Sequence, residues 1–562
     1  MNDKYLPPDP PSYGFTSAPP GGSQNYPPQG YPPQGYPPQG YPTQPAYPQP
    51  GYPPQNYAPP PQNYGQPPPQ NFGPPPPQNY GPPPPQNYGP PPTQPLPPSP
   101  IVVQPTGWYN RNQKNKPQSN AAGAAALIFL SGGMNIAWSI GFNSFYFKFL
   151  PVHTRVAWFI GAIIGGVFSC FLANKLPKKV VLCFCSLLVM IGGIVIATTR
   201  YNVQAVEASL YLDGIANGLA FAPTLALVGE VSVPYMRGAI SASIEQMCYT
   251  LGFFIQIVYV SSWYTTYNYN SFNAEQMHGV LAAIYGLIGL IIAGILCIES
   301  PVITLANGEE QKALDALRRL QRPYTITTET YAQLEEHKRY LAQNKDLSTG
   351  QSIVQALPAF VRLCYLRALN AMSLSAFVYY ALIVSLTPYY SLNTFTWQFI
   401  AFGAARWLGT FISSFCMESA GRKGPTLLGL LVSGGLAFGI GKLIGDVYEI
   451  YHVDGDAILA LLCVFQLFAG IAFTATSAYL SEAYPLGVKQ HFIASTFIVE
   501  MLVYIIISSV QYSIQGHAIF FYFVGALYLI GFFLGIWCLP ETRRTTLRES
   551  QDKFKGMLSR SF

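Results

Sequence analysis

Twelve apolar segments of roughly 18–25 residues follow one another between about Ala121 and Leu539, each long enough to cross a bilayer as a helix. They centre near Asn135, Gly165, Met190, Ala220, Gly252, Gly289, Ala376, Leu408, Gly434, Ala469, Val503 and Ala526. Connectors are short except one, from about Glu299 to Phe360, which splits the helices six and six. Inside it, Gly308–Leu320 has helical spacing, with Ala313, Leu317 and Leu320 on one side, which predicts surface helices. The pattern predicts an all-α membrane protein. A six-helix bundle spans 118–298, a cytoplasmic loop 299–360, a second bundle 361–540 and a C-terminal tail 541–562.

Residues 1–117 break the pattern. From Gln24 to about Pro92 the chain repeats Tyr-Pro-Pro-Gln-Gly units and then Pro-Pro-Pro-Pro-Gln-Asn-Tyr-Gly units. Proline removes backbone donors, and so little apolar surface cannot offset the entropy of ordering. A disordered cytoplasmic tail with polyproline II character is expected. A solvated spacer is the plainer reading of it. Pro10, Pro11 and Tyr13 also fit the Pro-Pro-x-Tyr pattern that WW domains grip, which makes a WW-domain protein a candidate partner.

Composition agrees with burial in lipid: 49% of residues are hydrophobic and 10% charged, against about 25% charged in soluble domains. The formal charge of +6 is spread between apolar runs instead of forming one face. That argues against nucleic acid and for membrane orientation. With the N-terminus inside, inner connectors hold Lys175, Lys178, Lys179, Arg237, Arg422, Lys423 and Lys489, and the C-terminal tail adds Arg543, Arg544, Arg548, Lys553 and Lys555. The ninth outer loop is acidic (Asp446, Glu449, Asp454, Asp456), and only Lys148, Arg155 and Arg200 dissent. Both termini are therefore expected in the cytoplasm, with the plasma membrane as the default location. The nine cysteines fall in or beside apolar runs, so no disulfide is expected. The six histidines are scattered, and no phosphate loop, HExxH or nucleophile motif is present. No metal, no cofactor and no enzymatic activity are expected.

Charges within the predicted spans stand out. Glu245, Arg406 and Glu500 fall in the fifth, eighth and eleventh. A charge at such depth costs at least ~2.5 kcal/mol on insertion scales and faces a bundle interior or cavity. Arg406 and Glu500 are expected to face each other across the second bundle.

Five motifs mark the inner helix ends. Val228-Gly229-Glu230-Val231-Ser232 precedes Arg237-Gly238-Ala239, and Glu299-Ser300-Pro301 precedes Leu305, Gly308, Ala313 and Leu317. Glu418 precedes Gly421-Arg422-Lys423, Glu482 precedes Pro485 and Lys489, and Pro540-Glu541-Thr542 precedes Leu547. In this order the motifs resemble those of the sugar-porter family of the major facilitator superfamily, which includes the animal facilitative glucose transporters. The resemblance implies alternating access, with solute bound near the midplane between two halves. It also implies a cytoplasmic gate built from Glu230, Arg237, Glu418, Arg422, Glu482 and Lys489. Electrostatically, each motif sets an acid at an inner helix end with a base shortly beyond.

The chain departs from the family at several positions. Pro177 stands where the family prefers Gly, and Leu210 where an Arg is usual. Leu369–Ser375 replaces a Gln-rich seventh-helix motif, leaving Asn370 and Ser375 as polar substitutes just before Tyr379. Ser477 stands near an expected Trp. Gln246 matches a sugar-binding Gln, with Glu245 the competing match. Arg406 and Glu500 occupy polar pocket positions. The first helix lacks the acid that proton-coupled members place there. The resemblance thus implies a substrate site of Gln246, Asn370, Ser375, Tyr379, Arg406, Ser477 and Glu500. The leading function is a secondary transporter of a hexose or related polyol. An ionic or amphipathic organic cargo, or a non-transporting sensor or scaffold, are the alternatives.

Overall fold

The computed structural model describes residues 107–143, 150–199, 202–263, 272–387, 396–450, 454–510 and 514–556. The Pro-rich repeats and the Pro10–Tyr13 motif lie outside them. Among the described residues all regular structure is helical. The chain opens with α1 (Trp108–Ala121) and enters a first bundle of α2 (Gly123–Ile140), α3 (Val152–Phe171), α4 (Lys178–Thr198), α5 (Val203–Val231), α6 (Arg237–Ile244), α7 (Gln246–Ser262) and α8 (Ala274–Leu296). Three short helices follow: α9 (Pro301–Ala306), α10 (Glu310–Arg319) and α11 (Thr328–Lys345). The second bundle contains α12 (Thr349–Ser373), α13 (Ala376–Ser385), α14 (Thr396–Ala420), α15 (Lys423–Ile450), α16 (Gly455–Glu482), α17 (Lys489–Ser509) and α18 (Ile514–Cys538), and α19 (Leu547–Phe554) closes the described chain.

Eleven of the expected spans are apolar stretches of at least 18 residues, ten of them unbroken helices. The one around Gly252 is split into α6 and α7, with Glu245 at the junction. The span around Ala376 is interrupted at Leu374–Ser375, between α12 and α13. Interrupted helices are tolerated at membrane depth only where the freed backbone is buried in protein or lines a cavity. Both breaks lie beside the cavity described below.

The two bundles separate their surfaces as lipid-facing helices must. Phe168, Ile295, Ile506 and Phe533 are exposed, while α5 and α16 are buried along most of their length. Close packing at the helix crossings rests on glycine. A Cβ at Gly252 would lie 1.9 Å from the Leu130 carbonyl oxygen, and one at Gly409 would lie 2.0 Å from that of Leu467. The nine cysteines are free thiols.

Two boundaries differ from those read in the sequence. α12 starts at Thr349, well before 361, because Ser348 and Gln351 form a reciprocal capping box that a stretch rich in Gln and holding Pro358 had disguised as loop. α1 begins inside the segment assigned to the tail. Its polar side chains have partners: Gln118 Oε1 accepts from Val233 N at 3.0 Å, and Asn115 Nδ2 donates to the Tyr235 hydroxyl at 3.2 Å. Arg322 N donates to the Lys114 carbonyl at 2.8 Å, and Lys114 pairs with Glu329. A helix with almost no apolar content is thus held by polar contacts to the α5–α6 turn and the α10–α11 connection.

Gly252→Val should lower the melting temperature of the detergent-purified protein by several degrees, because overpacking a tight contact costs about 1–3 kcal/mol. Gly294→Val, where a Cβ meets nothing within 4 Å, should leave it unchanged.

Candidate functional site

A narrow cavity lies between the bundles. Glu245, Gln246, Tyr249, Thr250 and Phe253 line it from the first, and Arg367, Asn370, Leu374, Phe497, Glu500 and Tyr504 from the second. Its electrostatic centre is Arg367 on α12. The guanidinium forms a two-pronged bond to Glu245, with Nη1 at 2.7 Å and Nη2 at 2.8 Å, and Nη1 reaches Glu500 at 3.2 Å. Glu245 also accepts from Ser477 Oγ at 2.5 Å and Gln246 Nε2 at 2.9 Å. Glu500 accepts from Asn370 Nδ2 at 2.7 Å. All of these side chains are buried.

Arg406 stands one layer behind. Its Nη2 donates to Asn370 Oδ1 at 2.5 Å and its Nη1 to Ser373 Oγ at 2.9 Å, with Gln466 Oε1 at 3.4 Å. The expected direct pairing of Arg406 with Glu500 is therefore not formed. Arg367 lies closer to Glu500, and Asn370 separates the two, donating to Glu500 and accepting from Arg406. Two acids and two arginines leave the network neutral. Buried ion pairs hold only where geometry is good and the remaining lone pairs and protons are satisfied; the Ser477, Gln246 and Asn370 bonds take up carboxylate lone pairs, while Arg367 Nε and Arg406 Nε have no partner among the described residues.

The expected site residues fall into three groups. Gln246, Asn370 and Glu500 line the cavity. Ser477 and Arg406 support it through Glu245 and Asn370. Tyr379 and Ser375 do not line it: Ser375 sits beside it at the α12–α13 break, and Tyr379 packs with its ring 4.8 Å from Phe142. Phe142 also packs on Phe253, Phe399 and Phe402, so rings from both bundles cover the cavity on that side. Sequence reasoning missed Arg367, and gave Glu245 as an intramembrane charge and as the competing match to Gln246 without counting it among the site residues. The available signal was spacing: Arg367 lies three residues before Asn370, on one helix face.

At the opposite end all six expected gate residues converge. Lys489 reaches Glu230 at 3.5 Å, and Arg237 reaches Glu482 at 3.6 Å. Glu418 Oε1 accepts from Gly238 N at 2.8 Å and Ala239 N at 3.3 Å. These three ties join the first bundle to the second. Arg422 braces them from within the second, bonding Glu482 and lying 3.9 Å from Glu418. Two more acids seat helix starts. Glu299 accepts from Lys178 N and Lys179 N at 3.1 and 2.9 Å, and Glu541 accepts from Arg422 N and Lys423 N at 2.8 and 3.1 Å. A carboxylate there meets unpaired amides and the positive end of the helix dipole. His337 on α11 stands near Arg237 and Lys489. Burial, then those two cations, push its imidazole down to about 4, so it adds no positive charge to the latch at neutral pH. The latch and the ring cluster join the two bundles on opposite sides of the cavity.

The family model described as "Sugar (and other) transporter" matches residues 106–554. The chain belongs to that family. It is 26% identical over 443 residues to the galactose-proton symporter of Escherichia coli (strain K12), covering 75% of this chain and 91% of the symporter. It is 22% identical over 487 residues to facilitated glucose transporter member 8 of solute carrier family 2 from Bos taurus, covering 78% and 94%. Among solved structures, the proton:xylose symporter XylE bound to 6-bromo-6-deoxy-D-glucose aligns with a TM-score of 0.64 and 18% identity, covering 77% of this chain and 99% of that one. The fold is thus that of the major facilitator superfamily in its sugar-porter branch, a transporter family and not an enzyme family.

Two outcomes test this geometry. Arg367→Met should cost about 3–5 kcal/mol in thermal unfolding, because it strands two buried carboxylates. The triple change Arg367→Met, Glu245→Leu, Glu500→Leu should recover most of that loss. If the single and triple variants melt alike, the ion cluster does not govern packing between the bundles. Glu482→Gln should speed maleimide labelling of a Ser481→Cys reporter from the latch end about tenfold or more, since a charge-assisted bond contributes about 1.5–3 kcal/mol.

Proposed function

We propose that the chain carries a hexose or related polyol across the plasma membrane by alternating access, with the latch end facing the cytoplasm. One observation supports this most: a cavity between two bundles, its charge balanced by Arg406 one layer behind, that combines hydrogen-bond donors, acceptors and aromatic rings. A sugar hydroxyl both donates and accepts. Glu245 and Glu500 supply acceptors, Asn370, Gln246 and Arg367 supply donors, and Tyr249, Phe253, Phe497 and Tyr504 supply apolar ring faces. The Tyr504 hydroxyl and the Gln246 carbonyl oxygen bond to no group among the described residues, which leaves them for a ligand. The relatives named for galactose and glucose support the same class.

Inward opening separates the bundles, so it must break Lys489–Glu230, Arg237–Glu482 and the amide bonds to Glu418. It must also part Arg367 from Glu245, and solute hydroxyls that take over those bonds lower that cost. The Lys and Arg bias of the connectors at the latch end supports the orientation. The Pro10-Pro11-Ser12-Tyr13 stretch supports a WW-domain partner that sets surface level rather than transport.

A second reading, an ionic organic cargo, draws on the four charges in or beside the cavity. Arg367 would be its counter-charge. Uptake by the surface-verified protein in a host lacking hexose carriers separates the two. Saturable uptake of D-glucose or D-galactose, lost in Asn370→Ala, is expected. Uptake of charged solutes with none of any sugar would overturn the hexose reading.

A further inference from the structure

We propose that Asp213 is a proton-binding site coupled to the substrate cavity, so that solute and proton cross together. The inference rests on the transporter reading above.

Asp213 lies ten residues from the Val203 end of α5 and eighteen from its Val231 end, about 15 Å deep at 1.5 Å per residue. It is 3% exposed. Its Oδ2 accepts from Ser131 Oγ of α2 at 2.5 Å, and its Oδ1 accepts from Trp158 Nε1 of α3 and Asn217 Nδ2 of α5, each at 2.8 Å. Asn135 of α2 lies nearby, its Nδ2 donating to the Ser131 carbonyl at 3.1 Å. Every one of these partners is neutral, and among the described residues no Lys or Arg pairs with Asp213. The other acids at the cavity and latch are answered differently. Glu245 and Glu500 share Arg367, Glu230 faces Lys489, and Glu482 faces Arg237 and Arg422. An ionisable group inside a membrane span without a counter-charge marks a proton or ion path by default.

The Ser131 contact is suited to two protonation states. Trp158 and Asn217 only donate, and both address Oδ1. Ser131 Oγ addresses Oδ2, and a hydroxyl donates to a carboxylate or accepts from a carboxylic acid by rotating its hydrogen. A proton taken from water therefore adds to Oδ2 with no bond lost, and its release restores the carboxylate.

The link to the cavity runs through Asn217. Its Oδ1 accepts from the Tyr249 hydroxyl at 3.1 Å, and Tyr249 lines the cavity. Tyr249 is also within electrostatic reach of Asp213 on one side and Glu245, Glu500 and Arg367 on the other. A change of charge at Asp213 thus bears on the Asn217–Tyr249 pair that touches solute.

The titratable groups around Asp213 are few. At the Val203 end of the α3–α5 interface, His153 meets Tyr211 at 2.8 Å and Glu207 at 3.5 Å, with Arg155 beside them on α3. From α7 there is Tyr249, and from α17 Glu500 and Tyr504. At the latch end of α5, Glu230, Arg237, Lys489 and Glu482 are mutually paired. α2 contributes no charged group, and from α4 the buried Cys185 and Ser186 face inward. The His153–Glu207 pair stands where a proton entering from the Val203 end would first meet a titratable group.

Two measurements on the full chain test this. In liposomes loaded with a pH dye, D-glucose, D-galactose or D-xylose added outside should acidify the interior. Asp213→Asn should reduce that signal to the level of empty liposomes while its melting temperature stays with the wild type. Sugar uptake without acidification by the wild type overturns the coupling. Independently of any sugar, infrared difference spectra between acidic and alkaline buffer should show a protonated-carboxyl band that Asp213→Asn lacks. Ser131→Ala should shift the pH at which that band appears. A spectrum unchanged by Asp213→Asn overturns the proton site. A band assigned to Asp213 with no uptake of any sugar sustains the site and sets aside the sugar reading.

Discussion

The bond between Glu245 and Arg367 holds the centre of this structure together. It is buried, two-pronged and made across the boundary between bundles. Everything nearby is arranged around keeping those charges out of water without leaving either unpaired. The helix break at Glu245 lets the carboxylate sit at the cavity wall. Ser477 and Gln246 take up its remaining acceptor capacity. Glu500 takes the third contact of the guanidinium and Asn370 passes the network on to Arg406. Desolvation makes such a cluster costly to assemble and costlier to leave half-made. A chain that keeps it therefore gains a buried contact between its bundles that is costly to separate unless something else satisfies the charges.

The latch repeats one design twice. Glu230 near the end of α5 meets Lys489 at the start of α17, and Glu482 at the end of α16 meets Arg237 at the start of α6. Exchanging the two bundles turns one pair into the other. The same exchange relates Glu299 on the start of α4 to Glu541 on the start of α15. Acids that follow positive-inside topology alone would have no reason to obey this exchange. The inner charges serve the relation between bundles as well as orientation.

What was legible in the sequence follows how far each interaction reaches along the chain. Apolar runs report helices because each helix satisfies its own backbone, and the gate residues were legible because their motifs are local. The cavity was less so. Arg367 and Glu245 are separated by 122 positions, and the one local signal, the three-residue spacing of Arg367 from Asn370, does not by itself distinguish a cavity arginine from the last base of a basic connector. The same boundary hid the start of α12, where Ser348 and Gln351 carry the signal and Pro358 obscures it. Arg406 was correctly sensed as an interior charge and wrongly matched, because Asn370 can donate to an acid and accept from an arginine at once. Tyr379 was assigned by motif position, but the break at Ser375 turns α13 so that the ring covers the cavity instead of lining it.

The contacts of α1 set where the chain can be shortened. Cutting before Gly107 removes the whole repetitive leader and leaves the Lys114, Asn115 and Gln118 contacts whole. Cutting at Ala122 would instead strip Val233 and Tyr235, in the turn that carries Arg237 into place, of polar partners. For expression and purification, the transporter therefore begins at Gly107, sixteen residues upstream of the first span at Gly123.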